Sequence, residues 1–149
     1  MEILTRRIGE CYYKENNYEN AINYYKEAYK LETKSTAKMN ILSMVALNEY
    51  LNNQIDSSKI HFQKIEQYYS KEIINYNRKP YYAYIDYSLY KYYTAEGDTK
   101  KAQQYLADAY NHIPEEDRNE YLMDDNRLDY LHKYYYIHEI IETYNQNIR

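Results

Sequence analysis

The sequence contains very few of the residues that break or bend a chain. Two glycines and two prolines in 149 residues leave almost no material for tight hairpins, phosphate-binding loops or proline-rich linkers. Residues that favour helix, among them Lys, Glu, Gln, Leu and Ala, make up much of the remainder. The composition therefore predicts an all-α protein, and a chain of this length fits one domain, residues 1–149.

Cysteine is scarce as well, and no long apolar run is present. The single cysteine, Cys11, excludes an internal disulfide, and its neighbours Ile8, Gly9 and Tyr12 predict a small buried thiol on a helix. No stretch approaches the roughly 20 apolar residues of a membrane span, and the N-terminus lacks the features of a signal peptide. A cytoplasmic location is the default expectation, and it no longer applies if the chain is a fragment of a larger protein.

The sequence shows no concentrated positive charge. The formal net charge is −4, and the 19 Lys and Arg residues are scattered among 23 Asp and Glu residues. Nucleic-acid binding needs a concentrated positive face that neutralises phosphates. We therefore expect no nucleic-acid partner, although stacked tyrosines would otherwise suit a helical repeat that binds RNA.

A recognisable set of catalytic or metal-binding residues is missing too. The four histidines are spread over three helical regions, and no two of them have the i, i+4 spacing that aligns imidazoles on one helix face: His61, His112, His132 and His138. His138 and Glu142 are spaced for a shared divalent ion, but a solvated pair on a helix face is the better interpretation. We predict no catalytic residue, no metal site and no cofactor, and hence a protein that is not an enzyme.

Tyrosine dominates the aromatic residues that are present. The chain has 25 tyrosines, one phenylalanine and no tryptophan, together with abundant Asn, Lys and Ile, whose codons are rich in A and T. A biased genome in which Tyr fills the positions of other large residues explains this composition. Tyrosine still supplies a large contact area at low entropic cost.

The apolar and aromatic residues fall at helical spacing, in paired runs separated by short polar segments. From Ile3 to Leu31 the pattern is interrupted only at residues 14–17, and two such helices must pack antiparallel to bury their apolar stripes. The pattern returns twice, around Asn52-Asn53-Gln54 and around Glu96-Gly97-Asp98. The sequence thus predicts three helical hairpins, at residues 2–33, 37–75 and 81–114.

The second helices of the three pairs align with one another. In each, a small residue is followed four positions later by a large apolar one, and a third residue of the set comes three positions after that: Ala21, Tyr25, Ala28; Ser58, Phe62, Ile65; and Ala102, Leu106, Ala109. Small residues let two helices approach closely. Gly9 is interpreted as a close helix contact of the same kind, and Gly97 as a helix C-terminal residue with positive φ.

These residues resemble a known repeat family. The matching positions are Gly9, Tyr12, Tyr18, Ala21, Tyr25 and Ala28 in the first hairpin, and Leu89, Tyr93, Gly97-Asp98, Ala102, Leu106, Ala109 and Pro114 in the third. This pattern resembles the tetratricopeptide repeat. The resemblance implies a right-handed α-α superhelix of about three hairpins plus a C-terminal helix, and a non-enzymatic scaffold that binds a protein or peptide.

The middle hairpin departs from the family pattern. Leu47 stands where the family has a small residue, Ser58 replaces alanine, and the turn reads one residue shorter than in the other two hairpins. The C-terminal helix is predicted over residues 126–145, and its end at residues 144–147 resembles the earlier turns. Two interpretations stay open: the helix caps the stack, or it begins a fourth pair whose second helix lies beyond Arg149.

The resemblance also implies where a partner binds. The first helix of each pair would line the concave surface, which makes this a Tyr-rich groove. The candidate partner-binding residues are Arg6, Arg7, Glu10, Tyr13, Met44, Asn48, Tyr84, Tyr87 and Lys91. A clamp for a peptide's terminal carboxylate, as in chaperone-binding members of the family, is not expected, because the matching positions hold Arg6, Glu10, Val45, Tyr84 and Ser88, and Glu10 would repel the carboxylate.

Two further hypotheses concern the biological setting. The chain is interpreted either as a free scaffold or, alternatively, as the sensor module of a larger bacterial transcription regulator or signalling protein. The partner is predicted to be a peptide, a protein segment or a second copy of the chain.

Overall fold

The computed structural model describes residues 2–71, 79–113, 115 and 135–148. Across these ranges the secondary structure is helical, with no strand. The helices are α1 Glu2–Lys14, α2 Tyr18–Leu31, α3 Ser35–Leu51, α4 Ile55–Lys71, α5 Lys79–Glu96, α6 Thr99–His112 and α7 Tyr135–Ile148. The all-α prediction is therefore confirmed for the part of the chain that the structure describes.

The contacts within the chain form two compact units. The first unit spans Met1–Ile74 and contains α1 to α4, and the second spans Asn75–Arg149 and contains α5, α6 and α7. In the first unit each helix packs on the next, and in the second α5 packs on α6 and α6 on α7. The predicted three hairpins and C-terminal helix are confirmed in the described residues, while the single domain stays a prediction.

The C-terminal helix differs in its bounds from the predicted one. Of the predicted residues 126–145, the segment 126–134 lies outside the described residues, and α7 continues to Ile148. The interpretation of residues 144–147 as a turn is wrong, because they are helical. The Asn147 side-chain amide donates a hydrogen bond to the carbonyl oxygen of Thr143 at 2.8 Å, so this asparagine bonds back to its own helix instead of ending it.

The two helices of each hairpin are joined by the same turn. One residue in each turn has positive φ: Asn16 at 61°, Asn53 at 64° and Gly97 at 86°. The residue that follows donates its backbone N–H to the carbonyl at the end of the first helix, as in a Schellman closure, with Asn17 to Tyr12 at 2.9 Å, Gln54 to Glu49 at 2.8 Å and Asp98 to Tyr93 at 3.0 Å. Asparagine tolerates the left-handed region that glycine adopts freely, so both residue types end these helices in the same way.

The equal turns correct the alignment of the middle hairpin. Counted from Asn16 and Asn53, the position of Gly9 corresponds to Ala46, which is fully buried. The interpretation that the middle turn is one residue shorter, with Leu47 at the small-residue position, is therefore wrong. The sequence comparison missed this because it did not identify Asn53 as the left-handed residue that marks the register.

Small residues permit close packing inside the hairpins. A Cβ atom built on Gly9 would lie 3.2 Å from the ring of Tyr25, which confirms Gly9 as a close helix contact. Ala21 and Ala28 of α2 are fully buried. Cys11, however, is exposed, so the prediction of a buried thiol is wrong: two residues after Gly9, the helix has turned by roughly 200° and the side chain leaves from the opposite side.

We expect Ala21→Leu to lower the free energy of unfolding by about 1–3 kcal/mol, because the added carbons would overpack a closed helix contact. Urea denaturation measures the change. Asn23→Leu, at an exposed position of the same helix, is the control and should leave the midpoint nearly unchanged. Equal midpoints for the two variants would contradict the assigned packing.

The left-handed conformation of Asn53 predicts a second stability effect. Asn53→Val should destabilise the protein by about 1–2 kcal/mol, because a β-branched residue is strained at this φ, whereas Asn53→Gly should be neutral or slightly stabilising. The matched control is Asn52→Val, since Asn52 has an ordinary φ of −90°. In thermal melting, Asn53→Val should have a clearly lower melting temperature than Asn52→Val. The opposite order would contradict the left-handed conformation of Asn53.

Candidate binding surface

The candidate residues of α1 lie together and keep accessible surface. Arg6, Glu10 and Tyr13 are spaced at i, i+4 and i+7, which places them on one face of the helix, and each is half-buried. Arg7 is exposed beside them. This set presents two guanidinium groups, a carboxylate and an aromatic ring along one helix of the first unit.

The candidate residues of α3 are buried. Met44 is 2% exposed and Asn48 is 0% exposed, and the Asn48 amide donates to the carbonyl oxygen of Met44, 2.8 Å away in the same helix. The burial extends around the whole circumference of α3 over most of residues 37–49. A helix that is apolar on every side is a core helix, so these two positions do not form an open groove in this structure.

The sequence carried a signal for this burial that the groove interpretation did not use. Apolar residues occupy nearly consecutive positions of α3 and so cover every face of the helix: Ile41, Leu42, Met44, Val45, Ala46 and Leu47. In contrast, α1 and α2 are amphipathic, with exposed polar residues between the buried apolar ones.

In the second unit, Tyr87 and Lys91 are brought together by a residue that the sequence analysis did not nominate. The Lys91 Nζ atom lies 2.7 Å from Glu139 Oε1 of α7, and the Tyr87 hydroxyl donates to the same oxygen at 2.8 Å. Tyr84 and Tyr87 are each 5% exposed. Two of the predicted contact residues therefore bind the chain's own C-terminal helix, and both tyrosines are buried.

Apolar and aromatic contacts also hold α7 against α5 and α6. Ile140 and Ile141 are buried at 0% and 2% exposure, and the Tyr144 ring stacks on Tyr110 of α6 at a centroid distance of 3.9 Å. The other members of this core cluster are Ala83 and Tyr87 of α5, Leu106 and Ala109 of α6, and Ile113 directly after α6. The helical stripe through Ile141 and Tyr144 is visible in the sequence, but the surface that it contacts is not.

Within the described residues, two histidine–carboxylate pairs combine residue types that can serve in acid–base catalysis. The His61 Nδ1 atom lies 2.5 Å from Glu49 Oε1, and the His112 Nδ1 atom lies 2.6 Å from Asp86 Oδ2. Both carboxylates are buried, Glu49 at 2% and Asp86 at 0% exposure. Each pair joins the two helices of its own hairpin, α3 with α4 and α5 with α6.

The repeat shows what the Glu49–His61 pair does. At the corresponding positions, the first hairpin has Tyr12 stacked on Tyr24 at 5.5 Å, and the third has Tyr93 stacked on Tyr105 at 5.8 Å. The middle hairpin replaces two stacked rings by a hydrogen-bonded pair at the same place. The pair therefore occupies a position of contact between the two helices of the hairpin.

The structure adds two observations on other site classes. Within the described residues, no group of three or more His, Cys, Asp or Glu side chains is arranged to hold a metal ion, and the side chain of His138 lies outside them. Among the helices described, none combines the length and the apolar character needed to cross a membrane.

The interhelical role of the pair gives a prediction. His61→Ala should destabilise the protein by about 1.5–3 kcal/mol, because it removes a hydrogen bond to a buried carboxylate. Glu49→Tyr with His61→Tyr installs the ring pair of the other hairpins and should recover much of this loss. Urea denaturation tests both variants. If the double variant is less stable than His61→Ala, the pairs of positions in the three hairpins are not equivalent.

Comparison with known proteins agrees with this geometry. Residues 5–35 match the family model of the tetratricopeptide repeat, and this segment contains most of the hairpin of α1 and α2. Neither the curated proteins nor the solved structures yield a match to the chain. The left-handed turn residue and the buried second-helix positions recur in the hairpins α3/α4 and α5/α6. The first hairpin thus matches the tetratricopeptide repeat, and the hairpins α3/α4 and α5/α6 resemble it in their turns and buried positions.

Proposed function

We propose that the chain is a non-enzymatic scaffold that binds a peptide or protein segment through the α1 face formed by Arg6, Arg7, Glu10 and Tyr13. Tetratricopeptide repeats generally mediate interactions between proteins. The first hairpin is also the part of the chain that matches the family model. Its mechanism is complementary burial, with no bond made or broken.

The observation that carries this proposal is the distribution of accessible surface over the candidate residues. All four on α1 keep accessible surface, whereas Met44 and Asn48 are buried and Tyr84 and Tyr87 are buried as well. A side chain has to reach solvent before it can contact a partner. Of the three candidate tyrosines, Tyr13 is therefore the one that keeps accessible surface, and it lies beside charged groups.

The chemistry of this face defines the segment that it fits. Guanidinium groups bind carboxylates through paired, charge-assisted hydrogen bonds, so Arg6 and Arg7 favour an acidic side chain. Glu10, one turn further along α1, repels a ligand carboxylate that lies beside it. Tyr13 provides contact area for an apolar or aromatic residue. The preferred ligand has an acidic residue near the arginines and an apolar one near Tyr13.

Peptide selection against the full chain tests the proposal. We expect a random peptide library to yield binders that carry an acidic residue, and Arg7→Glu should weaken their binding by about tenfold or more, equivalent to about 1.4 kcal/mol. Lys26→Glu makes the same charge change at an exposed position of α2 and should have little effect. Fluorescence anisotropy with labelled peptides measures both affinities.

The comparison between the two variants decides the outcome. Equal affinities for Arg7→Glu and Lys26→Glu would place the contact away from α1. A library that yields no binder to the intact chain would contradict the scaffold function itself. Circular dichroism should show the same helix content in both variants, since both positions are exposed.

A further inference from the structure

Two tyrosines from different helices of the second unit lie face to face. The rings of Tyr110 in α6 and Tyr144 in α7 stack with their centroids 3.9 Å apart and their planes 11° from parallel. Three other stacked tyrosine pairs have centroid distances of 5.5, 5.7 and 5.8 Å. The rings of those pairs are therefore offset, whereas the Tyr110 and Tyr144 rings overlap.

The overlap brings the reactive carbon atoms of two phenols together. Carbon atoms in van der Waals contact lie about 3.5–4.0 Å apart, so near-parallel rings with centroids 3.9 Å apart lie almost directly over one another. A Cε atom of one ring then lies over or next to a Cε atom of the other, whichever way the hydroxyls point. These carbons are ortho to the hydroxyl, and they carry much of the unpaired electron density when a phenol loses one electron and its proton.

Both rings are restrained and also reach solvent. Tyr110 and Tyr144 pack against the core cluster of the second unit, and both are half-buried. Side chains that are held in a reactive arrangement couple far faster than the same groups free in solution. The accessible part of each side chain lets an oxidant approach and lets the phenol release its proton to water.

The first hairpin shows that the corresponding position is covered differently there. Counted from the left-handed turn residue of its hairpin, Tyr29 corresponds to Tyr110. The following helix, α3, covers Tyr29 with a cation, since Lys38 Nζ lies 4.2 Å from the ring centroid. An ammonium group forms no carbon–carbon bond with a phenoxyl radical, whereas a second phenol does. The third hairpin thus places a reactive partner where the first places an inert one.

We propose that Tyr110 and Tyr144 are a site of oxidative cross-linking, at which a haem peroxidase with hydrogen peroxide joins α6 to α7 by a dityrosine bond. Each phenol loses one electron and its hydroxyl proton, and the two radicals couple through their Cε atoms. The hydrogens on the coupled carbons then move to the phenol oxygens, which restores both aromatic rings. Hydrogen peroxide takes up the two electrons and two protons and becomes two molecules of water. This site is independent of the α1 face and of the function proposed for that face.

Oxidation of the folded full chain tests the proposal. The dilute chain is treated with a haem peroxidase and a limiting amount of hydrogen peroxide, and the monomeric product is digested with trypsin. We expect a cross-linked product that joins the tryptic peptides 102–118 and 134–149, with a mass lower than their sum by two hydrogen atoms. Fragmentation in the mass spectrometer should place the bond at Tyr110 and Tyr144.

Phenylalanine variants give the matched controls. Tyr144→Phe keeps a ring in the stack but forms no phenoxyl radical, so it should abolish this product. Tyr24→Phe makes the same change in the offset stack of Tyr24 on Tyr12 and should leave the yield unchanged. Oxidation in concentrated urea should lose the selectivity, because the 25 tyrosines of the chain then compete for coupling without a fixed arrangement.

Three results would overturn the proposal: links in the folded chain that join other tyrosines instead, a product that persists in Tyr144→Phe, or the same distribution of links with and without urea. Circular dichroism checks that each variant is folded before oxidation. If Tyr144→Phe fails to fold, Tyr110→Phe removes the other hydroxyl of the pair and should abolish the same product.

Discussion

The close approach of two helices within each hairpin is the constraint on which the rest of the structure depends. A Cβ atom at Gly9 would lie 3.2 Å from the Tyr25 ring, so a larger residue would crowd this contact. The alanines Ala21, Ala28, Ala102 and Ala109 are buried as well. A left-handed turn residue then sets the direction and register of the second helix. With the register set, the faces that are buried and the faces that reach solvent follow.

This constraint leaves the chemistry of the contact variable. The same pair of positions holds stacked tyrosines in the first and last hairpins and a hydrogen-bonded Glu49–His61 pair in the middle one. A buried carboxylate beside an imidazole invites an interpretation as an acid–base pair, yet its place in the repeat shows that it joins two helices. A repeated scaffold thus supplies an internal comparison, in which the equivalent residues of one hairpin explain those of another.

Burial separates the candidate binding residues into two groups. On α1, charged residues and one tyrosine keep accessible surface, and this is the face through which we propose that a partner segment binds. On α5, Tyr87 and Lys91 contact Glu139 of α7. The contacts of these two residues are therefore made within the chain.

The sequence by itself determined the helical class, the three hairpins and the close contact at Gly9, because these follow from local spacing, the scarcity of turn residues and the size of single side chains. It misplaced the register of the middle hairpin, since asparagine marks a left-handed turn less clearly than glycine does. It also nominated Tyr87 and Lys91 without Glu139, and Met44 and Asn48 without their burial. Only the tertiary structure decided these points, because exposure and pairing depend on which helix packs on a given face, and that information lies in residues far away along the chain.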